Sequence, residues 1–150
     1  ISAKVDYAVR AMCELAAHTG EAPLKAEQIA SAQEIPLSFL ENILVDLRRA
    51  GFVRSLRGQD GGYRMAKPAS EITIADVIRA VEGPLADVRG LRPESLAFTG
   101  SAASLREVWL ATRVSLRRVL ERVYIADVVA GVISPDVADL LDDPDALVPH

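Results

Sequence analysis

The chain has 150 residues, 50 % of them hydrophobic and 25 % charged, the balance of one ordinary globular domain and too apolar for a disordered chain. The 17 Lys and Arg stand against 21 Asp and Glu, giving a net charge of −4 and a pI near 5.2, which on its face argues against a polyanionic partner. A lone cysteine excludes an intramolecular disulfide and favours a reducing, cytoplasmic setting; no membrane span or secretory leader is expected.

Val5, Ala8, Val9, Met12, Leu15 and Ala16 recur at three- and four-residue intervals over residues 4–19, the period of a helix with one buried stripe, and Gly20 stops it. A short helix holding Leu24, Ile29 and Ala30 follows Pro23. After a break at Glu34-Ile35, a second short helix takes Pro36 as its first residue and runs to Ala50. Its apolar positions Leu40, Ile43, Leu44 and Leu47 share one face, and Gly51 supplies a left-handed cap. Residues 52–56 and 62–66 read as two strands joined through Asp60-Gly61, a pair expected to turn the chain with positive φ. Thr73 or Ser70 caps a helix through Ile74, Val77, Ile78 and Val81 that ends at Gly83-Pro84. Residues 83–103 are a Gly- and Pro-containing loop. A long helix then spans about 104–124, a short apolar one 125–133, and the Asp- and Pro-rich tail 134–150 is expected to be flexible. The fold class is mainly α with one small β-hairpin.

Charge is not spread evenly. Residues 1–70 carry net +1 and residues 71–150 net −5, while 48–67 alone hold Arg48, Arg49, Arg54, Arg57, Arg64 and Lys67 against Asp60, net +5. Two short helices with a tight turn followed at once by a basic hairpin make a winged helix-turn-helix, in which the second helix enters the DNA major groove and the hairpin flanks it. The helix face opposite the apolar one offers Ser38, Glu41, Asn42, Val45, Arg48 and Arg49. Asn42 suits an adenine edge, Glu41 either accepts from cytosine N4 or is a plain surface residue, and Ser38 reaches a phosphate or a base. Phe39 either stacks on the sugar-phosphate edge or packs under the wing.

The segments Ile35 to Leu44, Leu47 to Ser55, Arg57-Gly58 and Gly61-Gly62-Tyr63 closely resemble the Rrf2 family of bacterial transcription regulators. Lys4 to Arg10 and Ile72 to Ile78 extend the likeness. The resemblance implies a homodimer that binds a pseudo-palindromic operator in double-stranded DNA, often as a repressor, with residues 1–82 as the DNA-binding domain. It implies DNA contacts at Ser38, Phe39, Glu41 and Asn42 on the recognition helix 36–50. In the wing 52–67 it implies Arg57 with Gly58 reaching toward the minor groove; Gln59, Arg64, Arg48 and Arg49 complete the candidate set.

Cluster-binding members of that family carry three cysteines in the loop before the long helix. Here the corresponding places fall near Gly90, Ala97 and Ala103, and none donates a thiolate to iron, so no iron-sulfur cluster is expected. Cys13, on the inner side of the first helix, reads as a buried structural thiol. His18 and His150 lack ligand spacing, and no metal site is expected. On the long helix, Leu105, Val108, Trp109, Thr112, Leu116, Val119 and Val123 form a stripe longer than one small domain needs, which suits dimerisation. Arg106, Arg113, Arg117, Arg118 and Arg122 decorate its other faces, with Arg117 and Glu121 spaced to pair. A small-molecule effector, if there is one, is expected in loop 83–103 and the cleft beside the long helix. No nucleophile with a base, carboxylate pair in a pocket or phosphate loop supports catalysis. The competing reading is a winged module that regulates a partner protein without touching DNA.

Overall fold

A computed structural model describes residues 1–149 of the chain, so His150 lies outside the described residues. Helix α1 spans Ala3–Ala17; Ser2 caps it by accepting from the Val5 amide at 3.1 Å. Val5, Ala8, Ala11, Met12 and Leu15 form its buried stripe, with Val9, Cys13 and Ala16 packed at the flank. The helix ends at Ala17, not at Gly20: His18 already has extended backbone, and its ring bonds the Ala22 carbonyl at 2.6 Å.

Helices α2 (Ala26–Gln33) and α3 (Leu37–Arg49) are joined by three residues. The corner is made by Glu34, whose left-handed φ of 52° lets the Ile35 amide reach the Ala30 carbonyl at 2.9 Å. Arg10 of α1 steadies that corner by donating to the Gln33 carbonyl. Leu24 lies outside α2; its backbone pairs with Tyr63 instead. Pro36 sits one place before the helix as its cap, its carbonyl taking the first helical bonds from Phe39 and Leu40. Leu40, Ile43, Leu44 and Leu47 are all buried, and Gly51 turns out of the helix at φ 79°.

Strands β1 (Val53–Leu56) and β2 (Gly62–Met65) pair antiparallel, with Arg54 opposite Arg64 and Ser55 opposite Tyr63. The turn between them departs from expectation. Positive φ occurs at Gly58, at 107°, and not at Gly61. Gly61 is needed for space: a Cβ there would stand 2.3 Å from the Leu56 carbonyl oxygen.

Thr73, and not Ser70, caps helix α4 (Ile74–Glu82) in a reciprocal capping box with Asp76. Loop 83–103 contains two single 3₁₀ turns, Pro93–Ser95 and Gly100–Ala102, and a tight bridge between Val88 and Leu91. Helix α5 runs Leu105–Leu120, four residues short of expectation. The chain there straightens because its backbone is claimed by the α4 cap region: Ile74 donates to the Val123 carbonyl at 2.9 Å and Ile125 to the Ile72 carbonyl at 2.9 Å. Val123 is therefore not on the helix that carries the other stripe residues. Helix α6 (Ile125–Ala130) returns to pack on α1 with Ile125 fully buried. Within the tail, Pro135–Ala138 forms one further turn, α7, and Arg122 pairs with Asp136.

One core links these parts. Met12, Ile29, Leu40, Ile43, Leu44, Leu47, Val53, Ile72, Val77 and Ile125 are its largest sealed side chains, so α1 to α4, the hairpin and α6 stand as a single winged unit. Helix α5 is different, since none of its side chains is buried.

Candidate nucleic-acid interface

The burial of four aliphatic side chains on α3 decides what the helix shows to solvent. Ser38, Phe39, Glu41, Asn42, Arg48 and Arg49 are all exposed, and Val45 is half-buried. The Asn42 amide donates to the Ser38 carbonyl at 3.2 Å, a weak intrahelical bond it can exchange for a base edge. Phe39 is exposed on the helix and is not packed under the wing. Its ring meets Tyr7 of α1 edge-on, with centroids 6.3 Å apart, while Arg10 covers the Tyr7 ring at 5.1 Å from its centroid.

The C-terminal end of the helix is tied down twice. Lys4 donates to Asp46 on α3 and to the Val81 carbonyl of α4, each at 2.8 Å. Arg48, in the last turn where the helix dipole favours a cation, reaches the Ser55 hydroxyl of β1 at 3.3 Å. That contact joins recognition helix and wing. Arg57, Gly58 and Gln59 stand exposed at the hairpin tip, and the left-handed Gly58 meets no atom within 4 Å of where a side chain would begin. Arg64 is half-buried, its guanidinium 3.4 Å from the Gly20 carbonyl. Arg54, outside the candidate set, is its cross-strand neighbour; strand register, which places opposite residues on one face, would have included it.

A polar helix face, a cationic hairpin and the link between them have the layout of a winged helix-turn-helix. A family model described as "Iron-dependent Transcriptional regulator", Rrf2, matches residues 1–131. The chain belongs to the Rrf2 family. Rv1287 of Mycobacterium tuberculosis strain H37Rv, named for an HTH-type transcriptional regulator, is 47 % identical over 143 residues, which are 95 % of this chain and 89 % of that protein. The regulator CymR of Bacillus subtilis is 35 % identical over 127 residues, 85 % of this chain and 87 % of its own. The solved structure of B. subtilis CymR, "the Global Cysteine Regulator", superposes with a TM-score of 0.72 at 32 % identity, covering 89 % of this chain and 98 % of that one. T. potens IscR gives 0.68 at 33 %, covering 100 % and 92 %. As an Rrf2 protein the chain is a DNA-binding transcription regulator and not an enzyme. Among the described residues, no helix is long and apolar enough to cross a membrane.

Iron, which the family description carries, asks for converging thiolate, imidazole or carboxylate donors. Among the described residues of this Rrf2 protein no three His, Cys, Asp or Glu stand together. Cys13 packs half-buried against the core on α1, where burial first and Glu14 second push its thiol above the ordinary range.

Of the dimerisation candidates, Val108, Thr112 and Leu116 are exposed along α5, while Leu105, Trp109 and Val119 are half-buried. Val123 lies beyond the helix, in the extended link to α6.

Proposed function

We propose that this regulator works in the cytoplasm as a homodimeric repressor on a pseudo-palindromic operator, without an iron-sulfur cluster. The observation that carries the reading is the continuity of α3 and the wing. Ser38, Glu41 and Asn42 are exposed on the helix, and Arg48, Arg49, Arg57 and Arg64 extend the surface as cations. In this reading the first group meets base edges and the second phosphates. The exposed stripe of α5 supports the dimer. Val108 and Leu116 are 52 % and 40 % accessible, and a 16-residue amphipathic helix with no buried side chain gains most by packing on its own copy. Two-fold pairing would set the two α3 helices about 34 Å apart or a multiple of that, matching successive major grooves.

The test is selection of duplexes from a random library by the full chain, followed by footprinting and mass measurement of the complex. Enrichment of an inverted repeat bound by two protomers is expected. Failure to enrich any duplex would return the reading to a protein-interaction module, and an enriched asymmetric site bound by one protomer would remove the dimer. A reporter downstream of the selected site should fall in output when the protein is expressed; a rise makes it an activator.

A further inference from the structure

Between the last turn of α4, the 83–94 segment and the outer side of α5 lies a cavity of about 430 Å³, within the size range of small-molecule sites. Four arginines line it, Arg79, Arg92, Arg113 and Arg117, with Glu94 as the acidic member of the lining and Leu85 as an apolar wall. The existing partners of these arginines are at the surface and replaceable. Arg113 pairs with Glu94, and Arg79 with Glu121 and, at 3.4 Å, with Asp76. Arg117 shares Glu121 at 2.9 Å. Among the described residues, the Arg92 guanidinium has no ion pair or hydrogen bond. Arg side chains present planar forks that match the two oxygens of a carboxylate or phosphate, so their convergence selects for anions.

We propose that this cavity binds a small organic polyanion, one bearing carboxylate or phosphate groups on a short carbon body, and that its occupancy regulates DNA binding. The inference rests on the operator-binding reading above. Arg92 supplies the free guanidinium, and one anionic group of the ligand displaces Glu94 from Arg113. A second group bridges toward Arg79 and Arg117. The walls belong to different parts of the molecule: α4 is fastened to α3 through Lys4, whereas α5 is the unburied helix. A ligand that prefers one α4–α5 arrangement therefore shifts the orientation of the recognition helices.

The full chain is to be unfolded thermally in citrate, 3-phosphoglycerate or inorganic phosphate, each against sodium chloride of equal ionic strength. Citrate or 3-phosphoglycerate is expected to raise Tm by about 5 °C at saturation, and to change affinity for the selected duplex about 5-fold or more. R92Q and R113Q should each weaken the anion effect at least about tenfold, the loss expected from one charge-assisted contact, while still binding duplex without anion. R92Q is the safer variant, because Arg92 is exposed and holds nothing in place. No Tm rise beyond chloride with any of the three anions, or an equal rise in both variants, overturns the site. Anion binding with unchanged duplex affinity overturns the regulatory half. Wild type that binds duplex but no anion refutes this inference alone, whereas wild type that binds anion but no duplex keeps the site and refutes the operator reading.

Discussion

Asn42 and Arg57 stand at the two ends of the proposed interface, and their chemistry predicts opposite kinds of loss. Asn42 offers a donor and an acceptor from an exposed helix position, the pair that matches adenine in the major groove. Asn42→Ala should lower discrimination at one base position by about 1–3 kcal/mol and leave affinity for unrelated duplexes nearly intact. Competition binding with single-base variants of the selected site measures this; equal loss on every sequence would show that Asn42 does not read a base. Arg57, at the exposed hairpin tip, carries charge without a partner-specific shape requirement. Arg57→Ala should weaken binding to all duplexes alike and reduce the log-log salt slope by about 2 for a dimer, one per protomer. Phe39 meets Tyr7 edge-on while staying exposed, and Arg10 covers Tyr7; its place on an exposed helix face was legible, but its neighbour came from α1, some 30 residues away in sequence.

Helix α4 shows how a local signal can determine an element. Thr73 accepts from the Asp76 amide at 3.1 Å while Asp76 accepts from the Thr73 amide at 3.0 Å, so two of the helix's orphan donors are satisfied within four residues. Thr73→Ala should cost about 1 kcal/mol, read as a lower urea midpoint at unchanged slope. A cost near zero would mean that Asp76 alone holds the cap. Elements of this kind, written in caps and apolar spacing, were readable from the chain: α1, α3 and α4 fall within a few residues of expectation, as does the hairpin. Features set by distant backbone were not. The end of α5 depends on Val123 and Ile125 bonding to residues near 72–74, and nothing in the local stripe from Leu105 to Val123 announces that pairing. Gly61 was recognisable as a turn glycine, but its cause, the approach of the Leu56 carbonyl, is a three-dimensional fact. The candidate interface was largely visible because exposure on α3 follows directly from its apolar period. The arginine cavity was visible only as a loop beside a helix, since its four cations come from three separate segments.

At the scale of the whole molecule, the junction between the winged unit and α5 should respond to acid. Arg79 of α4 pairs with Glu121 at the end of α5, and that hydrogen bond, with a smaller one from Arg117, outweighs burial and holds the Glu121 carboxyl below its ordinary 4.5. A lowered folded value means the pair stabilises the fold fully above pH 4.5 and loses that contribution as pH falls through the folded value. Glu121→Gln should therefore be less stable than wild type at neutral pH, with the gap closing under acid; a gap independent of pH would assign the effect to packing.

Charge distribution leads to the sharpest quantitative expectation. The chain is net negative, but its acid excess lies in residues 71–150 and its basic excess in 48–67, so only one approach to a polyanion is attractive. Arg48, Arg49, Arg57 and Arg64 are the four proposed phosphate contacts of each protomer, and a dimer therefore displaces about eight condensed counterions. The logarithm of the association constant should then fall by about 7 per unit of log salt concentration. A slope near 4 would mean that a single protomer engages the duplex. A slope near zero would show that the wing cations do not meet phosphate, whatever the base preference. On unrelated duplexes the −5 half is expected to oppose loose contacts, so non-specific affinity should be low even at reduced salt, where purely cationic winged proteins bind freely. Titration of a scrambled duplex across the same salt series tests that: tight binding there would show that the acidic half does not oppose approach.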